Sequence, residues 1–308
     1  MHQTKVSGHL TALFTILIWG TTFISTKLLL VDFSPVEILF FRFLIGFAAL
    51  WLFYPRRLKL QNRRQELYFV GAGLCGVTLY FLFENIALTY SPASNIGIIV
   101  SVAPFFTAIL ARLFLDGEKP GILFYLGFVL AIAGIVFISL QSTNELHLNP
   151  VGDVLAVLAA FVWAVYSIIV RKIGAFHYNT IATTRRTFFY GLVFMVPALF
   201  FLDFRFDISR FQNGSHLFNI LFLGFGASAI CFVSWNTAVK KLGAVKTSVY
   251  IYLVPVVTVI TAFLVLHEQI TLMMGIGMAL TLLGLFLSEW RPRKKERRLC
   301  AEAPSLEQ

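Results

Sequence analysis

The sequence predicts an all-α integral membrane protein, with ten transmembrane helices in two inverted five-helix repeats. Three observations carry that expectation. First, 58% of the 308 residues are apolar and only 13% are charged, against roughly 45–50% and ~25% in soluble domains. The mean hydropathy is +0.81. Such a chain cannot cover a water-facing surface with polar groups. Second, the apolar residues fall into ten runs of about 20 residues, the length an α-helix needs to cross the hydrocarbon core. Third, the last five runs repeat a residue pattern of the first five, and an odd number of spans inverts a repeat. The same numbers exclude a soluble two-domain protein, a disordered chain and a disulfide scaffold. Three cysteines (Cys75, Cys231 and Cys300) form neither a framework nor a metal cluster.

In chain order the spans are expected near 7–29, 35–54, 66–88, 94–115, 121–140, 151–170, 179–202, 216–238, 245–266 and 271–289. The first is too long an apolar run for a signal peptide and lacks a small-x-small cleavage site after it. Basic residues separate the others. Lys5, Arg56, Arg57, Lys59, Arg63, Arg64, Lys119, Arg171, Lys172, Lys240, Lys241 and Lys246 fall in alternate connections, and six more basic residues follow in the tail. The opposite side has only Arg205 and Arg210. Eighteen against two places both termini in the cytoplasm, because cytoplasmic loops concentrate Lys and Arg. The net charge of +10 therefore reads as topology and as attraction to anionic lipid, with no nucleic-acid partner implied. The chain divides into a first repeat at 7–140, a second at 150–290 and a cytoplasmic tail at 291–308.

The repeat is visible residue by residue. Trp19 and Lys27 recur 144 residues later as Trp163 and Arg171, and Arg42 recurs as Arg186. Farther on the offset is 151: Gly73, Asn85, Ala87, Ala93, Pro104 and Ala111 match Gly224, Asn236, Ala238, Ala244, Pro255 and Ala262. After one deletion, Glu118, Gly127 and Gly134 match Glu268, Gly277 and Gly284. Inverted repeats suit alternating access, since exchanging the conformations of the two halves turns a site from one face of the membrane to the other.

Residues 17–23, LIWGTTF, are followed by Pro35, by FFRFLIGF at 40–47, by ALTYSPASNIGIIVSVAPFFTAILARLFLDGEKP at 87–120 and by a span with Gly127 and Gly134. This order and spacing resembles the ten-helix, EamA-type branch of the drug/metabolite transporter superfamily, over about residues 7–290. The resemblance implies export of small metabolites, often amino acids, through a central cavity between the repeats. It also implies that the fourth and ninth helices line the path.

Candidate site residues follow from what is out of place in a span. Trp19 and Trp163 sit mid-span, away from the interface that tryptophan favours; each is either a lipid-facing or core residue or a cavity wall. Tyr166 shares the face of Trp163, and the repeat match sets Tyr252 where the fourth helix has Ser101. Ser94, Gly97, Ser101, Pro104, Ala108 and Ala111 form one small or polar stripe, which either packs closely on a neighbour or lines water. Pro104 and Pro255 each remove a backbone hydrogen bond and kink their helices, a break tolerated where backbone is buried in protein or faces a cavity. Ionisable groups within spans are costly and often functional. Arg42 and Arg186 suit structural pairing as well as substrate contact. Glu84 lies about four residues inside the third helix and suits either proton coupling and polar gating or an ion pair with Arg42. Glu118 and Glu268 suit helix capping or loop pairing.

The string GAGLCG at 71–76 satisfies G-x-G-x-x-G but sits inside a span, where small residues serve helix contact better than a cofactor. With no catalytic, metal or nucleotide motif, neither an enzyme nor a cofactor is expected. Seven spans and an extracellular N-terminus, the pattern of a receptor, conflict with ten spans and the charge split. The expectation is a secondary transporter in the inner membrane, exporting a small-molecule substrate, with a facilitator or importer as the alternative.

Overall fold

The structure is a computed structural model and describes residues 2–90, 93–115, 120–143, 149–202, 204–266 and 271–289. Glu118, Glu268, Cys300 and the tail lie outside the described residues. Ten helical spans run through the described residues. They are α1 (His2–Leu29), α2 (Pro35–Phe53), and α3, in which Glu66–Gly73 and Tyr80–Tyr90 are joined by a π-helical stretch, Leu74–Leu79. Next come α4 (Ala93–Val100, then Ala103–Phe114), α5 (Ile122–Thr143), α6 (Pro150–Gly174) and α7 (Thr180–Phe201). α8 joins Gly214–Leu221 to Cys231–Leu242 through a π-helical stretch, Phe222–Ile230. α9 holds Ala244–Ser248, a 3₁₀ stretch at Val249–Tyr252, and Leu253–Leu266, and α10 is Leu272–Glu289. These follow the ten apolar runs to within about five residues at each end.

By length and composition alone, α1, α2, α3, α6, α8 and α9 hold helices long and apolar enough to cross a membrane. α4, α5 and α10 contain shorter apolar helices, and α7 carries Arg185 and Arg186 in its first two turns. Local chemistry sets the starts. Ser34 and Glu37 form a capping box at α2 with Pro35 in the first turn, and Asn149 and Asn179 cap α6 and α7, satisfying N–H groups that a helix start leaves unpaired. Gly243 turns the chain from α8 to α9 at φ 95°, a conformation that favours glycine.

Packing repeats across the two halves. α1 lies against α8 and α9, and α6 lies against α3 and α4; α2 meets the π stretch of α8, and α7 meets that of α3. The 151-residue offset carries the π stretch at 74–79 onto 225–230, and the break at Ser101 and Val102 onto the end of the 3₁₀ stretch in α9. Pro104 and Pro255 follow these two breaks directly. The most extensive helix contact joins α5 to α10. A Cβ on Gly127 would meet the Gly284 carbonyl at 2.5 Å, and one on Gly134 would meet the Gly277 carbonyl at 2.5 Å. Gly127 corresponds to Gly277 and Gly134 to Gly284, so each glycine faces the counterpart of the other. That reciprocity is what a two-fold relation between the halves requires.

The glycines of GAGLCG serve packing. Gly73 faces the Gly191 nitrogen and Thr187 carbonyl of α7, and Gly76 faces the ring of Tyr166. Arg185 donates to the carbonyls of Tyr54 and Arg56, groups that the end of α2 leaves exposed. On the face bearing loops 1–2 and 7–8, nearly fully buried Glu37 pairs with Arg210 at 3.0 Å and accepts the Arg205 backbone N–H at 2.7 Å. The hydrogen bond from Arg210 to Glu37 pushes the arginine's pKa further up. His216 and Asp32 meet at 3.1 Å beside it.

Candidate functional site

A cavity of about 70 Å³ opens between the halves, well above the ~10–15 Å³ that admits one water. Its walls are Thr22, Phe23 and Thr26 of α1, Arg42 of α2, Tyr80 to Leu88 on one face of α3, and Gly97, Val100 and Ser101 of α4, with Trp19, Trp163, Ile251 and Val254 at its base. The contributions of α1 to α4 come from the ends next to loops 1–2 and 3–4. The cavity is therefore offset toward the face opposite the basic loops.

The base is an aromatic cluster. Trp19 and Trp163, counterparts in the repeat, meet edge to face with centroids 5.4 Å apart, a geometry favoured by ring quadrupoles. Trp235 lies 5.1 Å from Trp19, and Tyr80 lies 4.7 Å from Trp163. Trp19 Nε1 donates to the Ala227 carbonyl at 2.9 Å. Ala227 lies in the π stretch of α8, where the altered helical pattern redirects backbone groups. Trp163 Nε1 is buried without a hydrogen-bond partner.

Above the rings stand two opposite charges. Arg42 is 4% exposed. Its Nε donates to Ser228 Oγ at 3.0 Å, and its guanidinium carbon lies 4.5 Å from the Phe81 ring centroid, within cation–π range. Glu84 accepts from Tyr80 Oη at 2.9 Å. Among the described residues neither charge forms an ion pair within 4 Å. Each is hydrogen-bonded to a neutral neighbour, and the two opposite groups attract one another without direct contact. Arg186, the counterpart of Arg42, is neutralised by Glu66 near the basic face and donates to the Leu58 carbonyl.

Of the residues singled out in the sequence, Trp19, Trp163, Ser101, Arg42 and Glu84 share this cavity. Tyr166 and Tyr252 do not line it. Tyr166 is fully buried and donates to Asn236, and Tyr252 is fully buried with its hydroxyl unpartnered. Pro104 and Pro255 sit just past the breaks beside the cavity. Sequence reasoning missed Tyr80, Phe81, Asn85 and Ser228. The first three share a face with Glu84 at helical spacing, a signal present in the sequence. Ser228 has none, because its role depends on where the π stretch turns it.

The EamA-like transporter family profile matches residues 6–140 and 150–290. The chain belongs to the EamA-like transporter family. This EamA-like protein is 31% identical over 285 residues to an "Uncharacterized transporter" of Archaeoglobus fulgidus, covering 91% of this chain and 96% of that relative. It is 27% identical to a "Probable amino-acid metabolite efflux pump" of Escherichia coli, covering 92% and 96%. It is 26% identical to a "Probable terminal-alkyne amino-acid exporter" of Streptantibioticus cattleyicolor, covering 92% and 93%. A solved crystal structure 22% identical to it has a TM-score of 0.76, covering 92% of this chain and 97% of that one, so the two share the fold. The EamA-like chain is thus a multi-pass membrane transporter, and it is not an enzyme.

Proposed function

We propose that this transporter exports small zwitterionic metabolites such as amino acids across the cytoplasmic membrane by alternating access, with the basic face and both termini in the cytoplasm. The observation that carries the reading is the cavity between the repeats, where Arg42 and Glu84 stand above a tryptophan base without a direct ion pair. Arg42 presents its terminal amino groups to a substrate carboxylate. Glu84 faces the substrate ammonium, and Trp19, Trp163 and Tyr80 pack on its apolar part. Ser101 and the kinks at Pro104 and Pro255 shape the wall, and Tyr166 and Tyr252 belong to the half of the pathway that opens to the cytoplasm. The names of two relatives support an amino-acid substrate and the outward direction. Energy comes from an ion gradient or from the substrate's own gradient.

Reconstitution into proteoliposomes tests this. A panel of radiolabelled amino acids should show counterflow that Trp19→Ala and Trp163→Ala reduce at equal protein incorporation. Undiminished counterflow in both variants would remove the substrate from this cavity. Uptake equal in both directions without an ion gradient would make the protein a facilitator.

A further inference from the structure

A second cavity, of about 20 Å³, lies between α6, α7 and α8 beside loops 6–7 and 8–9. The repeat match carries Thr26 and Asn85 of the first cavity onto Val170 and Asn236 of the second. The two spaces are counterparts under the two-fold relation, one of about 70 Å³ and one of about 20 Å³. Their polar contacts differ in kind. In the first repeat, the Thr22 hydroxyl turns back to the Trp19 carbonyl at 2.7 Å, and Asn85 Nδ2 reaches only the Pro35 carbonyl at 3.3 Å. In the second, Tyr166 stands at the position of Thr22. Its hydroxyl donates to Asn236 Oδ1 at 2.9 Å, and Asn236 Nδ2 donates to Thr184 Oγ1 at 3.0 Å. Thr184 replaces Phe40, which has no group to join such a chain. Tyr166 and Thr184 are fully buried and Asn236 is 7% exposed, so these bonds are shielded from competing water.

We infer that the second cavity is the closed basic-face mouth of the substrate pathway, and that the Tyr166–Asn236–Thr184 chain is the bar that holds it shut by tying α6 and α7 to α8. This rests on the transport reading. The mouth offers Lys240 with the hydroxyls of Thr183 and Thr187, and no carboxylate among its described lining residues. It receives the carboxylate end of a zwitterion first, ahead of Arg42. Among the described residues the first repeat keeps one such link, from Asn85 to Pro35, and lacks the link from α1 to α3, so the two mouths are held by unequal forces, and the substrate-free protein rests closed on the basic face.

The test uses full-length protein without cysteines, in membrane vesicles of both orientations, carrying either Thr187→Cys in the second cavity or Ser101→Cys in the first. The probe is a membrane-impermeant maleimide. Tyr166→Phe keeps the ring against Gly76 and removes the donor; Thr184→Val removes the acceptor at the far end. Both variants should raise the labelling rate at Thr187→Cys relative to that at Ser101→Cys, the ratio of the two rates changing about fivefold, as one net hydrogen bond of ~1 kcal/mol carries. An unchanged ratio in the two variants, including an equal rise at both reporters, would overturn the bar. The transport reading fails separately, if a transported amino acid gives Ser101→Cys no protection in the protein with the bar intact.

Discussion

Replacing Arg42 by glutamine separates recognition of a carboxylate from support of the fold. The guanidinium is nearly fully buried, fixed at Nε by Ser228 and stacked above Phe81, so its terminal amino groups are held toward the cavity at little further entropic cost. A hydrogen bond to a charged group is worth ~1.5–3 kcal/mol net. One such bond to the substrate carboxylate corresponds to about 10- to 100-fold in affinity, at ~1.4 kcal/mol per tenfold. Binding measured by calorimetry on detergent-purified protein should therefore weaken by that factor for an amino acid in Arg42→Gln. The corresponding amino-acid amide, which has no charge to offer Arg42, should bind the variant and the unsubstituted protein within about threefold of each other. An equal loss for acid and amide would mean that Arg42 supports the cavity wall and does not read the carboxylate.

Glu84→Gln preserves the hydrogen bond from Tyr80 and removes the carboxylate; transport should lose its dependence on an imposed pH gradient, and substrate exchange should persist with weaker binding of the zwitterion, as measured in proteoliposomes. Unsubstituted protein that shows no such dependence would rule out proton coupling at Glu84. Single cysteines at Gln61 and Gln212, both exposed in loops on opposite faces, should label differently with an impermeant maleimide in intact cells, Gln212→Cys reacting and Gln61→Cys not; equal labelling would refute the assigned orientation. Gly284→Leu places side-chain atoms where a Cβ alone would meet the Ala131 nitrogen at 2.5 Å, so α5 and α10 must separate. Overpacking of this kind costs ~1–3 kcal/mol, and the thermal midpoint in a tryptophan-fluorescence melt should fall, with no change expected only if the two helices do not pack as described.

The helices and the repeat were legible because a bilayer imposes one dominant pattern, a run of about 20 apolar residues, and because glycines, prolines and tryptophans recur at fixed offsets. The π stretches in α3 and α8 were not legible. They depend on one extra residue absorbed within a helix, which Gly71, Gly73 and Gly76 permit but do not signal. The site was legible where a residue type contradicted its setting, as with Arg42, Glu84 and the mid-span tryptophans. Tyr166 and Tyr252 do not line the larger cavity, for a specific reason. The repeat match correctly paired Tyr252 with Ser101, but pairing by sequence assumes the two halves adopt one conformation. Ser101 lines the larger cavity, and Tyr252 is fully buried with its hydroxyl unpartnered.

That difference explains why the repeats have kept a common scaffold and lost common side chains. Under the proposed alternating access, close packing between the halves, at Gly127 with Gly284 and at Gly134 with Gly277, must survive in both conformations and stays reciprocal. The polar groups need not. Arg186 is neutralised by Glu66 and stays near the basic face, while Arg42 has Ser228, the rings of Phe43 and Phe81 and the attraction of Glu84 without direct contact. Glu84 has Trp235 as its counterpart, a fully buried residue whose indole nitrogen has no partner. A buried charge without an opposite partner is destabilising, and one such charge beside another in a cavity is a standing preference for a ligand that satisfies both. A zwitterion brings both complementary charges in one molecule. In the proposed binding mode it satisfies both groups more fully than they satisfy one another across the cavity, and a solute with only one charge reaches only one of them. Under the proposed function, selectivity for zwitterions rests on the absence of a direct Arg42–Glu84 ion pair, and any change that brings those two groups into contact should abolish it while leaving the helices in place.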